Sequence, residues 1–169
     1  MASEPLVRAM LRTLAASKPG GRFLELGTGT GIGTVWLLEG MDAASTLISV
    51  DNDPAVQQVA SDSLGTDGRL TLVTSGALEF LRSQPGGSFD FVFADAMPGK
   101  YEGLDDALAL VKPGGFYVID DMLPQANWPA GHADRVPALI EQLAARSGFE
   151  ILPLVWASGV VVAVRRSTR

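Results

Sequence analysis

The chain of 169 residues has no cysteine and one histidine. Without cysteine there is no thiol nucleophile, no thiolate metal centre and no disulfide. Basic residues are in the minority, 13 Lys and Arg against 19 Asp and Glu, which gives a formal charge of −6 and a pI near 4.7. Affinity for nucleic acid comes mostly from neutralised phosphates, so this balance argues against such a partner. Only the tail "VRRSTR" is basic, as a solvated chain end would be. No apolar run approaches the ~18 residues of a membrane span. The densest stretch, "GVVVAV", is strand-sized, and the first residues do not resemble a signal peptide. The expectation is a cytoplasmic protein with neither membrane nor nucleic acid among its partners.

What is present is an ordinary globular mixture, 47% hydrophobic and 19% charged. The length suits one domain over residues 1–169, with an N-terminal helix within 1–22 and the core over 23–166. A chain of this size buries roughly 68–70% of its unfolded surface. Pro-Gly-Gly occurs three times, in "PGGRFLEL", "PGGSFDFVFAD" and "PGGFYVIDD", each followed by an apolar run. Proline stops a preceding helix and glycine supplies positive φ, so the triplets read as punctuation before strands. "TLISVD" (46–51), "LTLVTS" (70–75), "EILPLVW" (150–156) and "GVVVAVR" (159–165) read as further strands.

Helical periods lie between them. Ser3 can cap a helix with Leu6, Val7, Met10, Leu11 and Leu14 on one face. In "DPAVQQVASDSLG", Asp53 can N-cap, Pro54 suits the first helical position, and Val56, Val59, Ala60, Ser63 and Leu64 share a face. Leu104, Leu108 and Val111 form another stripe, and 133–147 makes a last helix. Apolar strands alternating with helices mean an α/β fold with a doubly wound, mostly parallel sheet. Only Ala157 and Ser158 separate the last two strands, so these form a hairpin and one strand is antiparallel.

The segment "FLELGTGTGIGT" (23–34) runs a strand into glycines at every second position, with Glu25 just ahead of them. A dinucleotide fingerprint needs G-x-G-x-x-G, and the required third glycine falls on Ile32, Thr34 or Trp36 in the three registers. A P-loop fails for want of Lys-Ser or Lys-Thr after the glycines. Glu25 would also repel a pyrophosphate, whereas it suits a cationic ligand. S-adenosylmethionine carries a sulfonium, an ammonium and one carboxylate. The helix start near Gly31 could take that carboxylate, with Glu25 on the ammonium side. Asp51 ends the next strand 20 residues after Gly31, the place from which an acid reaches ribose hydroxyls. A tight turn without ligand is the bland alternative.

Together with "ISVDNDP", "SGALEFL", "FDFVFADAMPGKY" and "VKPGGFYVIDDML", this segment resembles the class I S-adenosylmethionine-dependent methyltransferases. More narrowly it is similar to the O-methyltransferases related to catechol and caffeoyl-CoA methyltransferases, over about residues 20 to 165. The resemblance implies a seven-stranded sheet of order 3-2-1-4-5-7-6 with strand 7 antiparallel. It implies that Gly27, Thr28, Gly29 and Gly31 line the cofactor beside Glu25 and Asp95. Asp51 and Asn52 would lie at the ribose, and Gly76, Ala77 and Leu78 against the adenine. Relatives often use a serine at the position of Gly33, so Thr34 or backbone N–H groups would serve the cofactor carboxylate here. Several helices usually precede the first strand and supply a dimer contact in many relatives. Here 22 residues precede Phe23, and a homodimer stays one option.

Methyl transfer to a small-molecule hydroxyl needs an acceptor that has lost its proton, by a base or a metal. The family binds a divalent ion through an Asp and then an Asp-Asn pair. Asp95, Asp120 and Asp121 stand at those positions, with Asp121 where Asn is usual. Oxygen ligands would suit Mg²⁺ or another hard divalent cation. The alternative is that Asp95 contacts cofactor or acceptor while Asp120 and Asp121 cap the loop. The family's lysine position is Pro98 here, while Tyr101 keeps its place. That leaves Asp95, Lys100 and His132 as catalytic candidates, with a solvated surface charge the bland reading of Lys100 and a capping or surface residue that of His132. Trp128 could wall an aromatic acceptor or seal its loop; Trp36 and Trp156 read as packing residues. Two other functions stay open: a non-catalytic binding protein of the same fold, and a nicotinamide-dependent oxidoreductase.

Overall fold

Seven strands form one sheet in the order β3-β2-β1-β4-β5-β7-β6. The strands are β1 (Arg22–Leu26), β2 (Thr46–Asp51), β3 (Leu70–Thr74), β4 (Phe89–Ala94), β5 (Val111–Ile119), β6 (Phe149–Leu154) and β7 (Val160–Arg165). The computed structural model describes residues 5–125, 128 and 131–167. The first five strands pair in parallel, and β7 runs antiparallel to both β5 and β6. The order is the one that the family resemblance implies, and the antiparallel β6–β7 pair is the hairpin expected from their short connection.

The helices are α1 (Pro5–Ala16), α2 (Ile32–Gly40), α3 (Pro54–Leu64), α4 (Ala77–Ser83), the one-turn α5 (Met97–Lys100), α6 (Leu104–Leu110) and α7 (His132–Ala144). Successive strand residues point to opposite faces, and each face has its own core. Phe23, Phe91, Phe93, Val118 and Val160 pack with Val7 and Leu11 of α1 and Leu37 of α2. Leu24, Val92, Tyr117, Ile119 and Val161 pack with Leu81 of α4, Leu108 of α6 and Leu139 of α7. Burial on both faces is why the central strands read as unbroken apolar runs.

Local rules explain several boundaries. Asp53 N-caps α3, its Oδ1 accepting from the N–H groups of Ala55 and Val56, with Pro54 next. The face α3 buries is Gln57 and Ala60, while Val59 is half exposed. On α1 the buried residues are Val7, Leu11 and Ala15, and Leu6 is on the outside; the proposed cap, Ser3, lies outside the described residues. The third Pro-Gly-Gly does not precede its strand. It sits inside β5 at a register shift, where Phe89 pairs with Val111 and Phe91 with Phe116. The closing hairpin has a longer connection than two residues, 155–159, and places Val155 at 87% exposure with Trp156 partly exposed rather than packed. Among the described residues no helix is long and apolar enough to cross a membrane.

The chain leaves β1 toward β2 and β3, then returns to place β4 on the other side of β1. This reversal opens a crevice beyond the carboxyl ends of β1 and β4, where ligands of open α/β sheets bind.

Candidate active site

Backbone geometry shapes the loop after β1. Gly27 N and Thr28 N donate to Val50 O at 2.9 and 3.3 Å, so the loop begins tied to β2. Gly29 N donates to Asp51 Oδ2 at 2.8 Å. Gly31, the N-cap of α2, has φ 87°. A Cβ there would lie 2.9 Å from the Ala60 Cβ, so glycine lets α2 start against α3. Gly31 therefore faces the protein interior, while Gly27 and Gly29 face the crevice.

Glu25 is not at the loop's mouth. Its carboxyl group is 0% exposed beneath the turn. Oε2 accepts from Thr34 Oγ1 at 2.5 Å and Ser49 Oγ at 2.6 Å, and Oε1 has no hydrogen-bond partner among the described residues. Burial pushes its pKa up to about 8, against the two hydroxyl donors that favour the anion. Glu25 thus underlies the loop and is sealed from the crevice surface. Thr34 is committed to Glu25, so it is not available as the substitute for the serine that relatives carry one residue earlier. Backbone N–H groups at the start of α2 are left for that task.

Two cavities meet at Gly27, Asp51 and Ala96. One, about 350 Å³, is walled by Thr28, Gly29, Thr30, Gly33 and Asp95. The other, about 250 Å³, is lined by Val50, Asn52, Gly76, Ala77, Leu78 and Pro98. Asp51 joins them from the end of β2. Its Oδ1 accepts from Asp53 N at 3.0 Å and its Oδ2 from Gly29 N, leaving lone pairs toward the crevice. Gln57 braces this corner from behind: its amide donates to Thr28 Oγ1 at 3.1 Å and Val73 O at 3.2 Å and accepts from Thr74 Oγ1 at 2.6 Å.

At the ends of β4 and β5 the acids are unequal. Asp95 borders the first cavity, and burial pushes its carboxyl up to about 7 despite the Lys100 ammonium nearby. Asp120 is buried; its Oδ1 accepts from Asp121 N at 2.7 Å and from Ser158 Oγ. Asp121 adopts φ 69°, and its Oδ1 has no partner among the described residues. Lys100 is 4% exposed, not a solvated surface charge. Its Nζ donates to Asp120 O at 2.8 Å and lies 3.8 Å from Asp95 Oδ1.

His132 opens α7 and is buried. Its Nε2 lies 3.1 Å from Tyr101 Oη, and its ring packs 4.3 Å from Trp128 and edge-on to Tyr101 at 5.2 Å. Trp128 therefore packs against the His132 ring at a tilt of 38°. Desolvation lowers the His132 pKa, outweighing the pull of Asp121 in the other direction.

A family model described as a methyltransferase domain matches residues 24–122. A Mycobacterium marinum protein named "Putative O-methyltransferase" is 32% identical over 97% of this chain and 78% of its own length. The chain belongs to the O-methyltransferase family of these relatives. A relative of the same name from Mycolicibacterium vanbaalenii is also 32% identical, over 70% of this chain, and several curated relatives are matched over little more than half their length, 54% in this case. The crystal structure of the O-methyltransferase TomG from Streptomyces achromogenes, in complex with SAM, superposes with a TM-score of 0.81. It is 25% identical and covers 98% of this chain and 82% of TomG.

Within this O-methyltransferase fold the cofactor fits the residues present. An apolar cavity for a base and a polar one for a charged tail meet at a carboxylate able to accept from ribose hydroxyls. A divalent ion does not fit. The Lys100 ammonium stands beside Asp95, Asp120 Oδ1 already accepts two hydrogen bonds, and among the described residues no three His, Cys, Asp or Glu side chains gather around one point. Sequence reasoning passed over Ser49, Gln57, Tyr117 and Ser158, all of which hold site residues. Ser49 carried a signal, as a hydroxyl inside the otherwise apolar "LISV".

Proposed function

We propose that this chain is an S-adenosylmethionine-dependent O-methyltransferase acting on a hydroxyl of a small molecule. The observation that carries the reading is the junction of the two cavities at Asp51 and Gly27, one apolar and one ending at Asp95. The S-adenosylmethionine bound by TomG supports the same cofactor here. Val50, Ala77 and Leu78 would enclose the adenine, and Asp51 would accept from the ribose hydroxyls. The N–H groups at the start of α2 would bind the cofactor's carboxylate.

The cofactor supplies a methyl group on a sulfonium, open to in-line attack by an oxygen. Positioning accounts for much of such a reaction, roughly 7–11 kcal/mol of barrier. The remaining task is proton removal. Asp95 is the base in this reading, because it borders the cofactor cavity and its carboxyl titrates near neutral pH. The acceptor proton passes to its carboxylate as the oxygen attacks. Lys100 and His132 hold supporting places, Lys100 against Asp95 and His132 against Tyr101 and Trp128.

The test is a transfer assay with methyl-labelled S-adenosylmethionine and a panel of phenols, alcohols and acids, read by product mass. Methylated phenol or alcohol is the expected product, lost in Asp95→Asn. Cofactor binding without transfer to any panel member would favour a non-catalytic binding protein.

A further inference from the structure

We infer that Lys100 is the resident cation of this site, standing where relatives of this family would gather a divalent ion, so that the ends of β4 and β5 are held together without metal. The inference rests on the O-methyltransferase reading above only for what the site is used for; the charge arrangement stands by itself.

The turn that carries Lys100 is built to turn it inward. Pro98 (φ −65°, ψ 141°) and Gly99 (φ 89°, ψ −31°) are the two central residues of a type II turn. A Cβ on Gly99 would lie 2.5 Å from Leu26 Cδ1, so glycine alone lets the turn press against β1. The turn is fastened on both sides. Gly99 N donates to Glu102 O at 2.7 Å, and the buried Tyr117 hydroxyl of β5 donates to Gly99 O. Lysine thus arrives two residues later in sequence than the family places it, yet its Nζ lies between the ends of β4 and β5. There it donates to the Asp120 carbonyl at 2.8 Å and faces Asp95 Oδ1 at 3.8 Å.

A buried ammonium needs partners to offset its lost hydration, and these two oxygens supply them. The same position is barred to a second cation. A hard divalent ion requires several oxygens at roughly 2.0–2.6 Å; an ion on Asp95 Oδ1 would share that oxygen with the ammonium 3.8 Å away. Asp120 Oδ1 is turned away, accepting from the Asp121 N–H and the Ser158 hydroxyl. Lys100 is a positioning residue in this account. It fixes Asp95 relative to β5 and sets the charge around it.

Manganese binding tests the inference, with Mn²⁺ as chloride the probe and the room-temperature EPR signal of free Mn²⁺ the readout. The expected result is no stoichiometric site in the wild-type chain. Lys100→Met should then gain Mn²⁺ affinity on the order of tenfold or more, as a neighbouring positive charge is removed, and adding Asp95→Asn should abolish the gain. If Lys100→Met does not fold, Lys100→Gln keeps a donor for the Asp120 carbonyl while losing the charge, and the same gain is expected. One Mn²⁺ bound per wild-type chain and lost in Asp95→Asn would overturn the inference, and so would folded neutral variants that gain nothing. Calorimetry with S-adenosylmethionine on the same samples separates the two proposals. Absence of cofactor binding counts against the methyltransferase reading and leaves the manganese result to stand or fall alone.

Discussion

Replacing Glu25 with glutamine should flatten the dependence of stability on pH. The carboxyl group lies fully buried beneath the glycine loop, with an ordinary value of 4.5 raised to about 8 by desolvation. A group whose pKa is raised by folding stabilises the native state at low pH, and that stability is lost as pH rises through the folded value. At about 1.36 kcal/mol per pH unit the full effect is on the order of 5 kcal/mol. Roughly 3 kcal/mol of it falls between about pH 5.5 and pH 9. For a chain of this size that is about 6–12 °C in Tm. Glutamine keeps an acceptor for Thr34 and Ser49 and places an amide N–H where Oε1 has no partner, an offset independent of pH. Asp95, also raised, contributes the same sign in both proteins and cancels in the comparison apart from its coupling to Glu25. Circular-dichroism melts of wild type and Glu25→Gln across this range provide the measurement. The difference in Tm should widen in favour of glutamine as pH rises to about 8 and then level off. Parallel curves would refute the reasoning, and with it the placement of an uncompensated acid under the loop.

Other expectations follow from single contacts. Asp95 acts as base only when ionised, so kcat/KM should rise with pH through about 7, and Asp95→Asn should lower it on the order of 10²–10⁴-fold with a flat profile. Gly31→Ala forces a Cβ against Ala60 at positive φ and should destabilise by about 1–3 kcal/mol. Gly29→Ala has open space around its Cβ at φ 52° and should cost only about 1–2 kcal/mol, so thermal melts should rank the two in that order. His132, as the single histidine, gives unambiguous imidazole NMR signals. Their midpoint should fall below 6.5, and a midpoint above it would contradict the desolvated setting beside Trp128.

The fold was legible because its strands are buried on both faces and its turns are punctuated. "FDFVFAD" and "FYVID" leave little choice but central strands, and a short connection before "GVVVAVR" forces the antiparallel pair. Boundaries were less legible where backbone irregularity decided them. The Pro-Gly-Gly of 113–115 became part of β5 because a register shift against β4 absorbed it. Val59 and Leu6 were assigned to buried faces on apolarity alone, whereas α3 turns Gln57 inward to serve Thr28 and Val73. At the site, residue types pointed to the crevice beyond β1 and β4, but side-chain direction was beyond the sequence. Glu25 belongs to a strand interior, and only the positions of Ser49 and Thr34 reveal that it is capped from within. Lys100 looked displaced by two residues until the Pro98–Gly99 turn restored its nitrogen to Asp95.

Calorimetric titration of the purified chain with S-adenosylmethionine, S-adenosylhomocysteine and NAD⁺ tests the central claim most directly. The account predicts saturable one-to-one binding of the first two, greatly weakened in Asp51→Ala, and no heat from NAD⁺. Binding of NAD⁺ with indifference to both sulfur nucleosides would contradict it.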